Sequence, residues 1–287
     1  MKFGKVDNPE MIDFLLPEDH PRTANVFSKE NMIPDIYVGC AKWGKKDLKN
    51  FYPRGTKDEL AYYATQFNSI ELNATFYRMF PPEQFAKWKD KTPEGFKFFP
   101  KITQDISHMK RLSNVQQLTN EYIHAVTHLE NKLGMVFLQM HQNFTPKDFD
   151  KVVKFVETWP KEIPLATEFR HTDWYNNKNI SNDLYDLLEQ HQITNIIVDS
   201  AGRRDLMHMC LTNATAFIRY VGANHTSDYT RLDDWVNKLD LWVKNGLKNI
   251  YFFVHQNEEV ESPALSAYFI NKLNDRIGAN IKIPTIP

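Results

Sequence analysis

The sequence predicts an α/β protein built as a single (β/α)8 barrel of the TIM type. Three observations favour this fold: β-like runs alternate with helical stretches from residue 36 onward, eight such units fit into about 250 residues, and no Gly/Ser-rich linker interrupts them. An open, doubly wound sheet is the competing arrangement. Its nucleotide-binding forms carry GxGxxG or GxxxxGK[ST] after a strand, and neither motif occurs here.

The first four units are predicted from short runs rich in β-branched and aromatic residues and from apolar residues at helical spacing. The predicted strands cover 36–44, 69–77, 96–102 and 133–141. The predicted helices between them cover 57–67, 82–91 and 114–132. Pro81 and Pro82 mark the start of the second helix, because proline is favoured in the first helical turn.

The last four units repeat the pattern. A helix over 147–159 begins after Thr145 and Pro146, and its apolar residues recur at helical spacing. The remaining predicted strands cover 164–171, 194–201, 215–222 and 249–256, and the remaining helices cover 182–192, 233–246 and 262–278. Residues 1–35 lie outside the pattern and are rich in Pro, Asp, Glu and Asn. They predict an N-terminal extension on the surface, followed by a barrel domain over 36–287.

Composition excludes several classes of function. The chain has 35 basic and 36 acidic residues, and this balance argues against binding of a nucleic-acid backbone as the main role. It is compatible with a local basic pocket. No apolar run is long enough for a membrane helix or a secretory signal. Cys40 and Cys210 lack metal-binding or redox spacing, so we expect two reduced thiols in a cytoplasmic protein.

Alternation along the predicted strands assigns one face to the helices and the other to the barrel axis. The helix-facing positions are apolar, as in Ile70, Leu72, Val136 and Leu138. The opposite positions are polar and lie mostly near the strand C-termini, where barrel enzymes place their active sites. These inward residues are Glu71, Asn73, Thr75, Lys101, Gln139, His141, Glu168, Arg170, Asp199, Arg219 and His255. A purely structural lattice of paired charges is the competing interpretation.

Seven motifs also carry a family resemblance. VGCAKWG, FYP, IELNATFYR, FKFFPKI, LGMVFLQM, ATEFRHTDW and FIRYVG follow one another between residues 36 and 270. Their order and spacing resemble the domain-of-unknown-function 72 (YecE-like) family. The resemblance implies a TIM-like barrel with an uncharacterised pocket at its C-terminal mouth, and it implies no particular reaction.

The resemblance further implies which polar positions belong to that pocket. They are Glu71, Asn73, Thr75, Tyr77, Lys101, Gln139, Glu168, Arg170, Trp174, Asp199 and Arg219. The family's arginine, any residue, histidine, glycine pattern after strand seven is altered here, because Val221 stands in the histidine position. Near strand eight the usual Phe-Asn-Asn is replaced by Val254, His255 and Gln256. A mechanism that needs either motif therefore does not carry over from sequence alone.

The pocket chemistry predicts a small anionic ligand, because Lys101, Arg170 and Arg219 suit a phosphate, sulfate or carboxylate. Strands two and five lie nearly opposite in an eight-stranded barrel, so Glu71 and Glu168 could flank a bond of a sugar-like substrate as acid and base. The predicted catalytic residues are Glu71, Glu168, Asp199 and Lys101. The predicted substrate-binding residues are Asn73, Tyr77, Gln139, His141, Arg170, Trp174, Arg219 and His255.

Other chemistries compete with this interpretation. No cofactor is predicted, but a divalent metal on the carboxylates, His141 and His255 would make the protein an isomerase or a phosphodiesterase-like hydrolase. Nearby cations oppose such a metal. Lys101 could instead form a Schiff base if it is desolvated. No GxSxG motif supports serine hydrolysis.

A binding module without catalysis is the alternative from another class. Trp43, Phe76, Tyr77 and Trp174 could stack on a base or a sugar ring of a metabolite or a nucleic-acid strand, or they could pack beneath the loops. The near-neutral charge favours a small ligand over a long strand. The sequence names no substrate and leaves the oligomeric state open.

Overall fold

The computed structural model describes residues 4–27 and 33–286 and has a mixed α/β fold. Its strands are short and recur along the chain. They are β1 (Asp35–Cys40), β2 (Ser69–Leu72), β3 (Lys97–Pro100), β4 (Val136–Gln139), β5 (Leu165–Glu168), β6 (Thr194–Asn195), β7 (Ile197–Ser200), β8 (Thr215–Gly222) and β9 (Asn249–Gln256). Every predicted strand segment overlaps one of these strands, and the segment over 194–201 contains two.

Helices separate most of the strands. They are α1 (Glu59–Gln66), α2 (Ala74–Tyr77), α3 (Pro82–Asp90), α4 (Gln116–Val126), α5 (Phe149–Thr158), α6 (Asp173–Asn176), α7 (Lys178–Gln190), α8 (Ser227–Lys244) and α9 (Ser262–Ile277). Side-chain caps explain where two of them begin, because Asp58 accepts a hydrogen bond from the Ala61 amide and Asn177 accepts one from the Asn179 amide. A π-helix, Asp105–Met109, follows β3.

The second predicted strand is shorter than expected. β2 ends at Leu72, and the rest of the predicted stretch turns into α2. Thr75 holds this turn, because its hydroxyl lies 2.8 Å from the carbonyl oxygen of Leu72 and 2.7 Å from that of Lys101. The side chains after Leu72 therefore do not follow strand alternation.

All strand pairs are parallel and form three hydrogen-bonded sheets. The strand orders are β1-β9-β8-β7, β2-β3 and β4-β5-β6, and an isolated parallel bridge pairs Lys101 with Phe137. Within residues 4–27 and 33–286 the ladders form separate sheets and not one continuous ring. The closed barrel expected from the sequence therefore stays a prediction.

The two sides of the strands differ in what they contact. Helix-facing side chains such as Ile70 and Leu138 pack with helix residues in one large core cluster, and Ile218 and Phe252 do so in a second. The opposite sides form a third, smaller cluster between the strands. Its buried members are Phe99, Met135, Phe137, Ala166, Ile196, Val198, Phe217 and Phe253. This inner cluster is the apolar floor beneath the polar residues at the strand C-termini.

The N-terminal segment packs on the outside of the helices and connections. Thr23 donates a hydrogen bond of 2.9 Å to the Met209 carbonyl, and Asp19 accepts one of 2.9 Å from the Trp242 indole. Residues 1–3 and 28–32 of the predicted 1–35 extension lie outside the described residues. The division into 1–35 and 36–287 stays a prediction. No helix in the described part of the chain combines the length and apolar character that crossing a membrane requires.

Candidate functional site

The guanidinium of Arg219 is the centre of a buried polar network. Arg219 lies on β8, opposite the helix-facing side, and its side chain is 6% exposed. Its Nε and Nη2 donate to the two carboxylate oxygens of Glu71 at 2.8 and 2.7 Å. Its Nη1 donates to Oε2 of Glu168 at 2.5 Å. One arginine thus joins carboxylates from β2 and β5, with the two-point geometry that makes such pairs strong.

Both carboxylates are ionised because cations surround them. Burial alone would raise the pKa of Glu71, but the charges of Arg219 and His255 hold it well below its ordinary value. Burial likewise opposes ionisation of Glu168, yet Arg170 and Arg219 lower its pKa to about 2. A carboxyl group with so low a pKa is a poor proton donor at neutral pH. The predicted general-acid role of these residues is therefore not supported by their surroundings.

A second arm of the network runs from Glu168 to Lys101. Gln139 donates from Nε2 to both oxygens of Glu168, at 2.9 and 3.0 Å. These bonds fix the amide orientation, so that Oε1 of Gln139 faces Lys101 and accepts its Nζ at 2.7 Å. Arg170 donates from Nε to Glu168 at 2.5 Å. The four side chains come from β4, β5 and the residues that follow β3 and β5.

A third arm runs from Glu71 to His255 on β9. Nε2 of His255 lies 3.0 Å from Oε2 of Glu71, and Asn73 donates to Oε1 of Glu71 at 2.8 Å. His255 pairs in register with Val221, the position where the resemblance implies a histidine. Because partners in a parallel ladder lie side by side, this chain carries an imidazole at the same level on the neighbouring strand.

The network is enclosed on the strand side and opens at its outer edge. Phe137 of the inner cluster lies under Arg219, with the guanidinium carbon 5.4 Å from the ring centre. Glu71 is fully buried, whereas the side chains of Arg170 and His255 are 17% and 14% exposed. A ligand would therefore meet the cationic and imidazole groups first and the carboxylates last.

His108 belongs to this edge, although sequence reasoning missed it. It lies on the π-helix after β3, and its ring packs edge-on against Phe76, with 4.8 Å between the ring centres, and against His141 at 5.2 Å. Burial, Lys101 and His141 lower the pKa of His108 to about 4, so its imidazole is neutral at pH 7. A π-helix has no simple sequence period, but such turns often occur at functional sites.

Two of the predicted binding residues lie at the rim. Tyr77 is 70% exposed at the end of α2, and its ring contacts Phe76 with 5.2 Å between ring centres. His141 follows β4 and accepts a hydrogen bond of 3.1 Å from the Asn143 amide. Burial, Arg111 and Arg170 lower the pKa of His141. Both side chains lie near the network without a hydrogen bond to it among the described residues.

The expected position of Asp199 in this site is wrong. In the β7–β8 ladder Val198 pairs with Arg219, whereas Asp199 pairs with Tyr220 on the helix-facing side. The Asp199 carboxylate accepts hydrogen bonds from Arg231 at 2.7 Å and from the Trp235 indole at 2.8 Å, both on α8. Asp199 is part of a separate buried network and does not reach Arg219.

Trp174 also lies away from the network. Its indole Nε1 donates to the Phe144 carbonyl at 2.8 Å, and its ring stacks on the Phe144 ring with 5.9 Å between centres. The side chain is fully buried in the cluster that packs against the helices. Packing beneath the loops, which was the competing interpretation of the aromatic residues, describes Trp174 correctly.

The side chains of the network do not provide a set of ligands for a divalent metal. The carboxylates of Glu71 and Glu168 are bound to Arg219, and Asp199 lies on the other side of its strand. In residues 4–27 and 33–286 no three His, Cys, Asp or Glu side chains are grouped as a metal site would require. A metal ion would have to displace a buried guanidinium from its two carboxylates.

A cavity of about 730 Å³ is separate from the network. Residues that follow β4 and β5 line it, among them Thr145, Phe149, Asn176 and Ile180. None of the network residues contributes to its wall.

Comparison with known proteins identifies the family to which the chain belongs. The family model described as "Protein of unknown function DUF72" matches residues 37–285. The chain belongs to the DUF72 family. UPF0759 protein YecE of Escherichia coli K12 is 25% identical to this DUF72 chain over 274 residues, which cover 88% of the chain and 97% of YecE. UPF0759 protein YunF of Bacillus subtilis is 29% identical over 150 residues, which cover 49% of the chain and 52% of YunF.

Solved structures of DUF72 proteins share the fold. A crystal structure from Enterococcus faecalis V583 superposes with a TM-score of 0.68 at 16% identity, covering 86% of this chain and 99% of that protein. A structure from Thermotoga maritima MSB8 gives a TM-score of 0.64 at 23% identity, with coverage of 84% and 99%. These likenesses concern the fold, and the function of this DUF72 protein has to be argued from its own site.

Proposed function

We propose that this DUF72 protein is an enzyme that acts on a small substrate carrying a phosphate or carboxylate group, with a sugar-like body as one candidate. One observation carries the proposal. Arg219 is held by Glu71 and Glu168, Arg170 binds Glu168 at the partly exposed edge, and Lys101 joins the same network through Gln139, so three basic side chains share a network with two carboxylates. An anionic group binding at the outer edge would gain charge-assisted hydrogen bonds from Arg170 and its neighbours.

The proposal includes the (β/α)8 barrel, with the network at its C-terminal mouth. Two contacts support closing the three sheets into one ring. The Asn68 side chain joins β1 to the start of β2, because its oxygen accepts from the Val38 amide at 2.9 Å and its Nδ2 donates to the Ile36 carbonyl at 2.7 Å. The Lys101–Phe137 bridge joins the end of β3 to β4. β6 and β7 would be one strand interrupted at Ile196.

Proton transfer is assigned to His255, with Glu71 as its partner. An ionised carboxylate only accepts hydrogen bonds, so the 3.0 Å contact places the proton of the neutral imidazole on Nε2. Nδ1 is then the basic nitrogen, in a side chain that is partly exposed. Glu71 orients the ring and stabilises its charged form, which is the usual task of a carboxylate behind a histidine. Glu168 acts as a positioning residue for Arg170, Arg219 and Gln139.

A small ligand fits this site better than a macromolecule. The basic groups cluster at one narrow edge, and the formal net charge of the chain is −1, so it lacks the basic surface that a nucleic-acid strand requires. We place the activity in the cytoplasm, where Cys40 and Cys210, both free and buried, would stay reduced.

Titration calorimetry with inorganic phosphate, sulfate and pyruvate tests the proposal. We expect the wild type to bind at least one of these anions and Arg170→Met to bind it about tenfold more weakly or worse, because one charged hydrogen bond contributes about 1.5–3 kcal/mol. Arg276→Met is the matched control. Arg276 is 52% exposed on α9, where it binds Asp240, so its replacement should leave anion affinity unchanged.

Two outcomes would contradict the anion site. Binding of none of the three anions by the wild type would remove its basis. Equal affinity of the Arg170→Met and Arg276→Met proteins would place the bound anion somewhere else.

A further inference from the structure

Lys101 has surroundings unlike those of the other buried cations. Arg219 and Arg231 each contact two carboxylates, whereas Lys101 Nζ lies within ion-pair distance of no carboxylate in the described residues. Its hydrogen-bond partner is the neutral amide oxygen of Gln139. On another side the amine lies 4.0 Å from the centre of the Phe76 ring. The residue is only 7% exposed, so few water molecules replace the missing anion.

The charges near Lys101 disfavour its protonated form. Burial is the largest cause, and the guanidiniums of Arg219 and Arg170 add to it, so that the pKa of Lys101 lies well below its ordinary value. Glu168 and Glu71 oppose this effect but are already paired with the two arginines. A lysine desolvated beside other cations is the arrangement that produces a nucleophilic amine at neutral pH.

We propose that the amine of Lys101 forms a Schiff base with the substrate, which makes the ligand of this site a small carbonyl compound bearing an anionic group, such as a 2-oxo acid or a keto or aldehyde phosphate. This inference rests on the proposed anion site, because Arg170 would hold the phosphate or carboxylate beside the amine. It goes further by naming the reactive group of the substrate and the covalent bond that the protein makes to it.

The step balances without an oxidant or a reductant. The lone pair of the neutral amine attacks the carbonyl carbon, and the carbonyl oxygen takes up a proton to give a carbinolamine. The nitrogen loses one proton, the hydroxyl group leaves as water after protonation, and a C=N bond forms. The nitrogen keeps its second proton, so the product is an iminium ion, which the anionic group of the substrate would stabilise. The products are therefore one bound iminium and one water molecule.

His108 is placed to serve the proton transfers. Its ring and the Lys101 amine contact the same Phe76 side chain, and its imidazole is neutral at pH 7 because burial, the largest cause, lowers its pKa to about 4. The Ser107 hydroxyl lies 2.9 Å from Nδ1 of His108 and holds the ring in place. His108 on the π-helix and His255 on β9 would then approach the bound carbonyl group from different elements.

Reductive trapping tests the covalent bond in the wild-type protein. The protein is incubated with pyruvate or with dihydroxyacetone phosphate and treated with sodium cyanoborohydride, and peptide mass spectrometry locates the modified lysines. We expect modification of Lys101 by at least one of the two probes, at least tenfold above that of Lys97, a partly exposed lysine at the start of β3 whose amine binds the Asn131 carbonyl. Dihydroxyacetone, which lacks the phosphate, should modify Lys101 at least tenfold less than dihydroxyacetone phosphate does. Lys101→Arg replaces the amine with a guanidinium, which forms no Schiff base, and should abolish the adduct.

The outcomes separate this inference from the proposed function. If phosphate or pyruvate binds in the calorimeter but Lys101 is modified no faster than Lys97, the Schiff base is wrong and the anion site stands. If dihydroxyacetone modifies Lys101 as well as its phosphate does, the amine is reactive but the anionic group plays no part, which overturns the ligand class proposed here. Because the assay uses the wild type, it does not depend on the folding of a variant.

Discussion

Two buried networks of arginine and carboxylate lie one residue apart in the β7–β8 ladder, on opposite sides of the strands. The inner network centres on Arg219, and the outer network centres on Asp199. The inner one contains three basic side chains and two carboxylates, and one of the basic side chains, Lys101, has no carboxylate within ion-pair distance in the described residues. The outer one is balanced, because Arg231 and Arg204 face Asp199 and Asp228.

Residues of the N-terminal segment also contact the outer network. Phe14 of the N-terminal segment lies over Arg231, with 4.5 Å between the guanidinium carbon and the ring centre, and Arg204 donates to the Phe14 and Leu15 carbonyls. The Trp235 indole occupies the second oxygen of Asp199. The comparison teaches that a buried ion pair does not by itself indicate a ligand site. Within the described residues, a buried basic side chain without a carboxylate partner, Lys101, distinguishes the inner network from the outer one.

The largest effect is expected when the centre of the inner network is removed. Arg219→Met would leave Glu71 and Glu168 without their shared partner, and breaking a buried ion pair in this way costs about 3–5 kcal/mol of unfolding free energy. We expect a loss at the upper end of this range, since two carboxylates are affected. Urea unfolding followed by circular dichroism measures it.

A second variant tests the cause of that loss. Adding Glu71→Gln to Arg219→Met removes one uncompensated charge and should recover part of the unfolding free energy. A loss below about 1 kcal/mol for Arg219→Met, which is typical of an exposed pair, would show that the network is solvated.

Lowering the pH should remove the next largest contribution of the inner network to the free energy of unfolding. The folded pKa of Glu168 is about 2 and its ordinary value is 4.5, so its ionised form stabilises the folded state above pH 4.5. This contribution, about 3 kcal/mol, is lost as the pH falls from about 5 towards 2. Glu168→Gln should have a shallower decline of unfolding free energy over this range. Equal slopes for the two proteins would show that Glu168 is not held ionised by Arg170 and Arg219.

Much of the fold and of the inner network follows from the sequence. Glu71, Gln139 and Arg219 each lie between two large apolar residues, and this assigns the polar side chain to the face opposite its neighbours. Their convergence then requires only that parallel strands share their C-terminal edge.

The misplaced residues fail for physical reasons. Asp199 follows a continuous apolar run in IIVDS, so alternation does not show which of these side chains face inward. The interruption between β6 and β7 at Ile196 also prevents counting the alternation from the start of the predicted strand. Trp174 lies just after β5, a position from which a side chain can either line a pocket or pack beneath the loops. Its buried contacts show that it packs beneath the loops. His108 lies on a π-helix, which no periodic pattern predicts.

The smallest expected loss of unfolding free energy follows a substitution in the outer network, and it tests most directly whether the two networks are distinct. Arg231→Met removes one partner each from Asp199 and Asp228, but Asp199 keeps Arg204 and Trp235. Asp228 keeps the amides of Ala223 and His225, so neither carboxylate is left without a donor and we expect a loss of about 2 kcal/mol of unfolding free energy. The affinity for phosphate or pyruvate should not change, because Asp199 faces α8 and contacts none of the inner residues. Urea unfolding and calorimetry on the same preparation measure both quantities. A fall in anion affinity of tenfold or more, in a protein that remains folded, would mean that the two networks act as one site, and the distinction based on Lys101 would then fail.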